Sequence, residues 1–290
     1  MIDVTGQAIA QSIMNGLCLG WIYILIAAGL SLIFGIMNIL QFAHGEVYML
    51  GAYVVYYFNV MLGFNFFVAL FISIVFMLVL GSILERFIFR PLVGEPLTPL
   101  IVSLGLMIIL QASVQIMFGV SPKSIPSFYA NVADLMGVKM GSDRLIVVGI
   151  SAAIISGLYL MLKKTKLGQA PTASAQHPDA SRLMGINPYL MAAAAMAIGS
   201  ALAGAAGGLM GSILKIDPFM GGAVLIKGLI IIVLGGKGSL LGVIVGGLLV
   251  GLIDGIVPVL FGPAVAAIAP LFIVAIIVVI RPQGFFGYEQ

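Results

Sequence analysis

Charged residues are scarce in this 290-residue chain. Asp, Glu, Lys and Arg together make up 8% of the sequence, whereas hydrophobic residues make up 62% and the mean hydropathy is +1.23. A soluble globular domain carries roughly 25% charged residues. The composition therefore excludes a soluble domain and predicts an all-α, polytopic membrane protein, because the apolar runs are continuous rather than alternating.

Residues for covalent cross-linking and catalysis are also few. Cys18 is the one cysteine, so the chain cannot form a disulfide of its own. The glycine-rich residues 234–239 lack the spacing of a phosphate-binding loop, and residues 43–46 do not match the His-Glu-x-x-His zinc motif. We therefore expect no enzymatic activity, no cofactor and no metal, and aromatic residues that do not cluster beside charge argue against nucleic-acid binding.

What the sequence does have is a series of apolar segments, each near the roughly 20 residues that a membrane span requires. We predict eight to ten membrane elements, including one half-helix or short span at residues 224–234. The other predicted spans are residues 8–34, 46–62, 66–88, 98–118, 145–162, 189–213, 240–260 and 265–280. Together they form one transmembrane domain over residues 1–290.

A basic loop at residues 163–188 interrupts the second half of the chain. It contains three lysines and one arginine against one aspartate. Lys and Arg resist translocation, so this loop and the C-terminal tail are predicted to be cytoplasmic, with the mixed-charge loop at residues 121–144 outside. Pro171 and Pro178 suit the first turns of two short helices, and Gly185 suits the position after a helix. The loop therefore resembles a docking surface for a soluble cytoplasmic partner.

Small residues recur one helical turn apart in two of the later spans. Such spacing lets helix backbones approach closely in lipid, where the hydrophobic effect cannot drive association. We interpret them as packing positions without a direct function. They are Ser200, Ala203, Gly204, Gly207, Gly208, Gly211, Gly242, Gly246, Gly247, Gly251 and Gly255.

An otherwise apolar stretch, residues 34–53, carries four polar side chains: Asn38, Gln41, His44 and Glu46. Gly35 and Gly45 indicate that the segment is not helical throughout. Non-helical backbone at membrane depth persists only where protein shields it or where it lines a wet cavity. The four side chains are therefore candidates for lining or gating a transport pathway. Alternatively, the two ionisable ones simply mark the interface between two spans.

Charges inside the last predicted spans form a further candidate set. Asp254 lies within span 240–260, and an intramembrane acid is a functional candidate. A structural hydrogen bond to a neighbouring helix would explain it equally well. For Lys227 and Lys237 we predict that the side chains extend to a membrane interface.

Four segments make the chain resemble the permease subunits of bacterial ABC importers for branched-chain amino acids, of the LivH type. The resemblance covers nearly the whole chain. The segments are GLCLGWIYILIAAGLSLIFGIMNILQFAHGEVYMLGAY (16–53), RPLVGEPLTPLIVSLGL (90–106), LGQAPTASAQHPDASRLMGI (167–186) and RPQGFFG (281–287).

The resemblance implies a pore formed with a second permease subunit, either a copy or a paralogue, in the inner membrane. It also implies two cytoplasmic ATPase subunits, which would hydrolyse the ATP, and a periplasmic substrate-binding protein. Loop 167–186 would then couple the permease to an ATPase. The implied contact residues are Ala173, Ser174, Gln176, Asp179, Arg182, Leu183, Met184 and Gly185.

The start of this loop departs from the family pattern. The family usually reads Leu-Gly-Arg-Ala-Met-Arg, whereas this chain has Gln169 and Thr172 in place of the arginines and Pro171 in place of the methionine. Pro171 interrupts any helix that would run through it. This change affects either the strength of coupling to the ATPase or the position at which the coupling helix begins.

Two other functions remain open. The same architecture would also serve an importer of urea or short amides. A proton-coupled secondary transporter would instead use Glu46, His44 or Asp254 as the proton carrier. The basic loop favours the ATP-driven importer, because a secondary carrier has no need of it.

Overall fold

The computed structural model describes residues 6–95, 97–129, 131–135, 138–164, 187–236, 238–280 and 284. Within these residues the chain is an all-α bundle with one small β-hairpin, Val132–Leu135 paired antiparallel with Val138–Gly141. The predicted fold class, an all-α polytopic membrane protein, is confirmed. Six helical segments are long and apolar enough to cross a membrane by length and composition.

Nine α-helices are present in the described part of the chain. They are α1 Gly6–Met37, α2 His44–Tyr56, α3 Phe66–Leu84, α4 Thr98–Phe118, α5 Ser142–Lys164, α6 Pro188–Gly211, α7 Met220–Gly235, α8 Leu240–Phe261 and α9 Pro263–Ile280. Single π-helical turns, Tyr57–Met61 and Glu85–Phe89, extend α2 and α3. Helix α5 begins at Ser142, so the predicted external loop at 121–144 ends earlier than expected.

Side-chain caps define where three of these helices begin. Asn65 accepts a hydrogen bond from the amide of Phe67 (2.9 Å), and Asn187 accepts one from Tyr189 (3.0 Å). Ser239 accepts one from the amide of Gly242 (3.1 Å). Each cap satisfies an amide that the first turn of a helix leaves unpaired.

Helices α1 and α8 pack antiparallel in very close contact. A Cβ added at Gly16 would meet the backbone of Gly251, and one added at Gly20 would meet the backbone of Gly247 at 3.1 Å. Residues 22–28 of α1 are all buried. Helix α6 packs against α1, α2 and α3, so α1 and α6 form the centre of the bundle.

The bundle has two ends, which we name separately. The end that we call the basic end carries Arg86, Arg90, Lys163 and Lys164, and there the Arg90 guanidinium lies 5.5 Å from the ring centroid of Tyr189. The opposite end, called the loop end, carries residues 119–129, 131–135, 138–141 and 212–219. Its two loops are joined by paired backbone hydrogen bonds between Lys123 and Ile216.

Candidate functional site

The chain reverses direction between α1 and α2 without leaving the bundle. Asn38 has a φ of +53°, a left-handed conformation that asparagine tolerates better than most residues. After this turn-back segment, residues 38–43, α2 begins beside the last third of α1, because a Cβ added at Gly29 would lie 3.2 Å from Nε2 of His44. Gly29 lies about 12 Å before the end of α1. The segment therefore re-enters the bundle. Its backbone is non-helical at residues 38–43, as the glycines on either side of it led us to expect.

Helix α4 anchors the turn-back segment. The amide of Phe42 donates to Oγ of Ser103 (3.2 Å), and this hydroxyl donates to the carbonyl of Leu100 (2.7 Å). Ser103 is fully buried. One serine thus supplies the partner that non-helical backbone at membrane depth requires.

Replacing Ser103 with alanine is expected to release this anchor. Loss of one buried hydrogen bond costs about 1 kcal/mol, which corresponds to about fivefold faster amide exchange at Phe42. Hydrogen–deuterium exchange of the peptide containing residues 38–45 measures this change. Ser113→Ala is the matched control, because Ser113 also donates to its own helix, to the carbonyl of Ile109, but lies on the exposed face. Equal exchange in the two variants would contradict the anchoring role.

The structure brings together three of the four predicted pathway residues. Gln41, His44 and Glu46 are each at most 1% exposed, whereas Asn38 is exposed. Among the described residues, the side-chain polar atoms of Gln41 and Glu46 have no hydrogen-bond partner. Buried polar groups without partners are costly and rare, so these two side chains require an explanation.

Glu46 lies against the beginning of α7. A Cβ added at Gly221 would lie 2.9 Å from the Glu46 carboxyl carbon and 2.7 Å from the carbonyl carbon of Gly45. Glu46 is also in the first turn of its own helix, α2. The amino ends of helices carry unpaired amides and partial positive charge. The amino ends of α2 and α7 therefore both favour a carboxylate at this position.

Asp254 belongs to a separate cluster. Its Oδ2 accepts hydrogen bonds from the hydroxyl of Tyr23 (2.7 Å) and from Nζ of Lys227, which also contacts the Tyr23 oxygen at 2.9 Å. The prediction that Lys227 extends to a membrane interface is therefore wrong: it pairs with an acid on the next helix. Opposite charges in adjacent predicted spans were the available signal, whereas nothing in the sequence pointed to Tyr23. Lys237 lies outside the described residues.

A cavity of about 250 Å³ adjoins this cluster at the loop end. Arg144, in the first turn of α5, donates from Nη1 to Oδ1 of Asn15 at its edge. Sequence analysis did not single out either residue. The lining residues are Asn15, Cys18, Leu19, Arg144, Ile213, Leu214, Asp254, Gly255 and Pro258.

The predicted packing residues lie where helices cross. A Cβ added at Gly204 would meet the side chain of Met77 at 2.6 Å, and one at Gly246 would meet the carbonyl of Ile231 at 3.0 Å. Similar contacts, under 3.0 Å, would form at the other glycines of this set. These are Gly207, Gly208, Gly211, Gly242, Gly247, Gly251 and Gly255. Ser200 itself fills the space beside Gly81 of α3.

The predicted ATPase-contact residues all fall outside the described residues. They are Ala173, Ser174, Gln176, Asp179, Arg182, Leu183, Met184 and Gly185. The two short helices predicted within residues 163–188 likewise stay a prediction, except that 163–164 complete α5 and Pro188 begins α6. Within the described residues, no group of three or more His, Cys, Asp or Glu could hold a metal ion.

Comparison with known proteins shows that this chain is similar to one family of membrane transport proteins. The family described as "Branched-chain amino acid transport system / permease component" matches residues 12–281. The high-affinity branched-chain amino acid transport system permease protein BraD of Pseudomonas aeruginosa is 32% identical, over 97% of this chain and 96% of BraD. The corresponding protein LivH of Escherichia coli K12 is 28% identical over the same shares. A probable LivH permease of Methanocaldococcus jannaschii is 25% identical over 92% of this chain and 89% of that protein.

Proposed function

The chain belongs to the family of permease components of branched-chain amino acid transport systems, and from this premise we propose that it is the permease subunit of an ATP-driven importer of branched-chain amino acids. The observation that supports this proposal most strongly is the match over residues 12–281, nearly the full span of the bundle. A second permease subunit would complete the pore. Two ATPase subunits would supply the energy, so this chain itself would catalyse no reaction. A periplasmic binding protein would deliver the substrate.

The distribution of charge supports an orientation in the inner membrane. Among the described residues, the basic end has a net charge of +2, from Arg86, Arg90, Lys163 and Lys164 against Glu85 and Glu95, whereas the loop end, counted to Arg144, has a net charge of +1. An excess of Lys and Arg marks the cytoplasmic side of a membrane protein. The basic end and the C-terminus would then face the cytoplasm, where residues 173–185 would contact an ATPase.

The turn-back segment is the best candidate for the moving part of the pathway. Gln41 of this segment is buried in the bundle, as are His44 and Glu46 at the start of α2, and the polar atoms of Gln41 and Glu46 have no described partner. Asn38 is exposed. A conformational change that hydrates these atoms recovers part of their desolvation cost. We propose that opening of the pathway exposes these side chains.

ATP-dependent uptake in proteoliposomes tests the proposed function. The chain would be purified with its ATPase, second permease and binding protein, and labelled leucine, urea and a neutral amide would be offered separately. Replacing residues 173–185 with a Gly/Ser linker of equal length is expected to reduce ATP-driven leucine uptake at least tenfold. A matched control replaces residues 120–122 of the opposite end, which are all exposed, with Gly/Ser residues and should leave leucine uptake unchanged.

The result also separates the alternatives. Uptake of urea or the amide in place of leucine would contradict the proposed substrate but would still support an ATP-driven importer. Uptake by this chain alone, driven by a pH gradient and abolished by Glu46→Gln, would replace the importer with a proton-coupled carrier.

A further inference from the structure

We propose that the cavity at the loop end is a binding site for a free amino acid, in which Arg144 holds the carboxylate and Asp254 the ammonium group. The proposal rests on the proposed function for its substrate class. It adds a site in this chain, distinct from the turn-back segment, that would receive the substrate at the external face.

Arg144 supplies an anion-binding group. Its Nη1 is bound to Oδ1 of Asn15, which orients the guanidinium, and no other described hydrogen bond uses its side-chain nitrogens. The neighbouring Asp143 forms no described ion pair with this guanidinium. Its oxygens accept from the backbone amide of Arg144 (2.8 Å) and from Oγ of Ser127 (3.1 Å). A guanidinium has five donors in a fork that matches a carboxylate.

Asp254 supplies a cation-binding group. Tyr23 and Lys227 both bind Oδ2, so their two contacts hold the carboxylate in place and leave Oδ1 without a described partner. Pro258 follows four residues later within α8 and has no amide hydrogen, so the carbonyl of Asp254 lacks its ordinary helical donor. Asp254, Gly255 and Pro258 all line the cavity. A carboxylate oxygen and a free carbonyl on one turn are suited to an ammonium group, which has three donors.

The remaining lining fits an aliphatic side chain. Leu19, Ile213, Leu214 and Pro258 are apolar and surround the same space. The cavity volume of about 250 Å³ is far larger than a single water requires. Arg144 and Asp254 line this same space, so a leucine-sized molecule bound there would contact both charged groups.

Two ligand analogues test the assignment without changing the protein. The full-length chain would be reconstituted in nanodiscs of phosphatidylcholine and phosphatidylglycerol, without binding protein or ATPase, and binding of labelled leucine would be measured. Leucinol lacks the carboxylate, and 4-methylpentanoate lacks the ammonium group. We expect saturable leucine binding and at least tenfold weaker competition by each analogue, because each leaves one charged group of the site unpaired.

Variants assign the two groups. Arg144→Gln is expected to weaken leucine binding at least tenfold while competition by leucinol changes little, because leucinol never used the guanidinium. Asp254→Asn is expected to weaken leucine binding at least tenfold while competition by 4-methylpentanoate changes little, because 4-methylpentanoate has no ammonium group. Lys215→Gln is the matched control, since Lys215 lies exposed in the same end of the bundle, and its leucine affinity should equal that of the unchanged chain.

Several outcomes would overturn the proposal. Equal competition by leucine and both analogues would contradict the proposed binding site. Equal leucine affinity in Arg144→Gln and Lys215→Gln would also contradict it. Stronger competition by phosphoethanolamine than by leucine would assign the cavity to a lipid headgroup instead. Leucine uptake by the complete transporter with no leucine binding here would reject this site and keep the proposed function. Leucine binding here with no ATP-driven uptake would reject the proposed function alone.

Discussion

Replacing Gly207 with alanine is expected to force α6 away from α2 and to lower the free energy of unfolding by about 3 kcal/mol. A Cβ at this position would lie 2.9 Å from the carbonyl carbon of Tyr48, closer still to its oxygen, and 3.1 Å from the amide nitrogen of Ala52. These are backbone atoms inside a helix, so they cannot rotate aside as a side chain could. The overlap relaxes only if the two helices separate.

Because α2 starts at the turn-back segment, this separation would also disturb His44 and Glu46. Unfolding in detergent by a denaturant titration measures the stability, and leucine uptake by the complete transporter measures the effect on function. Gly157→Ala is the matched control: the substitution is the same, it lies within helix α5, and no atom lies within 4 Å of the added Cβ. Alanine is the better helix former, so this control should be neutral or slightly stabilised. Equal stability of the two variants would contradict the close packing of α2 and α6.

Replacing Lys227 with methionine is the second large perturbation. The substitution keeps the aliphatic length but removes the cation that faces Asp254, whose side chain is 10% exposed. Removing one partner of a buried ion pair strands the other charge at a cost of about 3–5 kcal/mol. The Lys227 side chain is 28% exposed, so water compensates in part, and we expect a loss of about 2–3 kcal/mol.

A double-mutant cycle separates the ion pair from general packing. The variant carrying both Lys227→Met and Asp254→Leu has no stranded charge and should recover most of the lost stability, because apolar pairs often replace buried ion pairs without loss. Lys215→Met, in an exposed loop, is the control for losing a lysine. If the double variant is less stable than Lys227→Met alone, the two residues do not compensate each other and the pairing is not the source of the effect.

The membrane elements could be predicted well because each depends on local sequence. The predicted span 98–118 coincides with α4, which begins at Thr98, directly before Pro99, and ends directly before Gly119. Proline suits a first helical turn, and Gly119 has a φ of +78° that favours glycine. Start and stop signals of this kind act within a few residues, so they are visible in the sequence.

The break between α1 and α2 was only partly predictable. Gly35 and Gly45 indicated non-helical backbone, but only the contacts decided that α2 restarts at His44, beside Gly29, and that Ser103 of α4 binds the segment. Ser103 is more than 60 positions away from Phe42 along the chain. No local pattern specifies which distant hydroxyl will satisfy a given amide.

By itself, the sequence determined the class of protein, the approximate spans and the small-residue positions, because hydropathy and helical period are properties of short stretches. Only the tertiary structure decided the partners. It joined Lys227 to Asp254 and Tyr23, although Lys227 was predicted to extend to a membrane interface, and it set Arg144 beside Asn15 at a cavity. A helix pattern shows which face is suited for packing, whereas the neighbour on that face depends on how all the helices fill the bundle together.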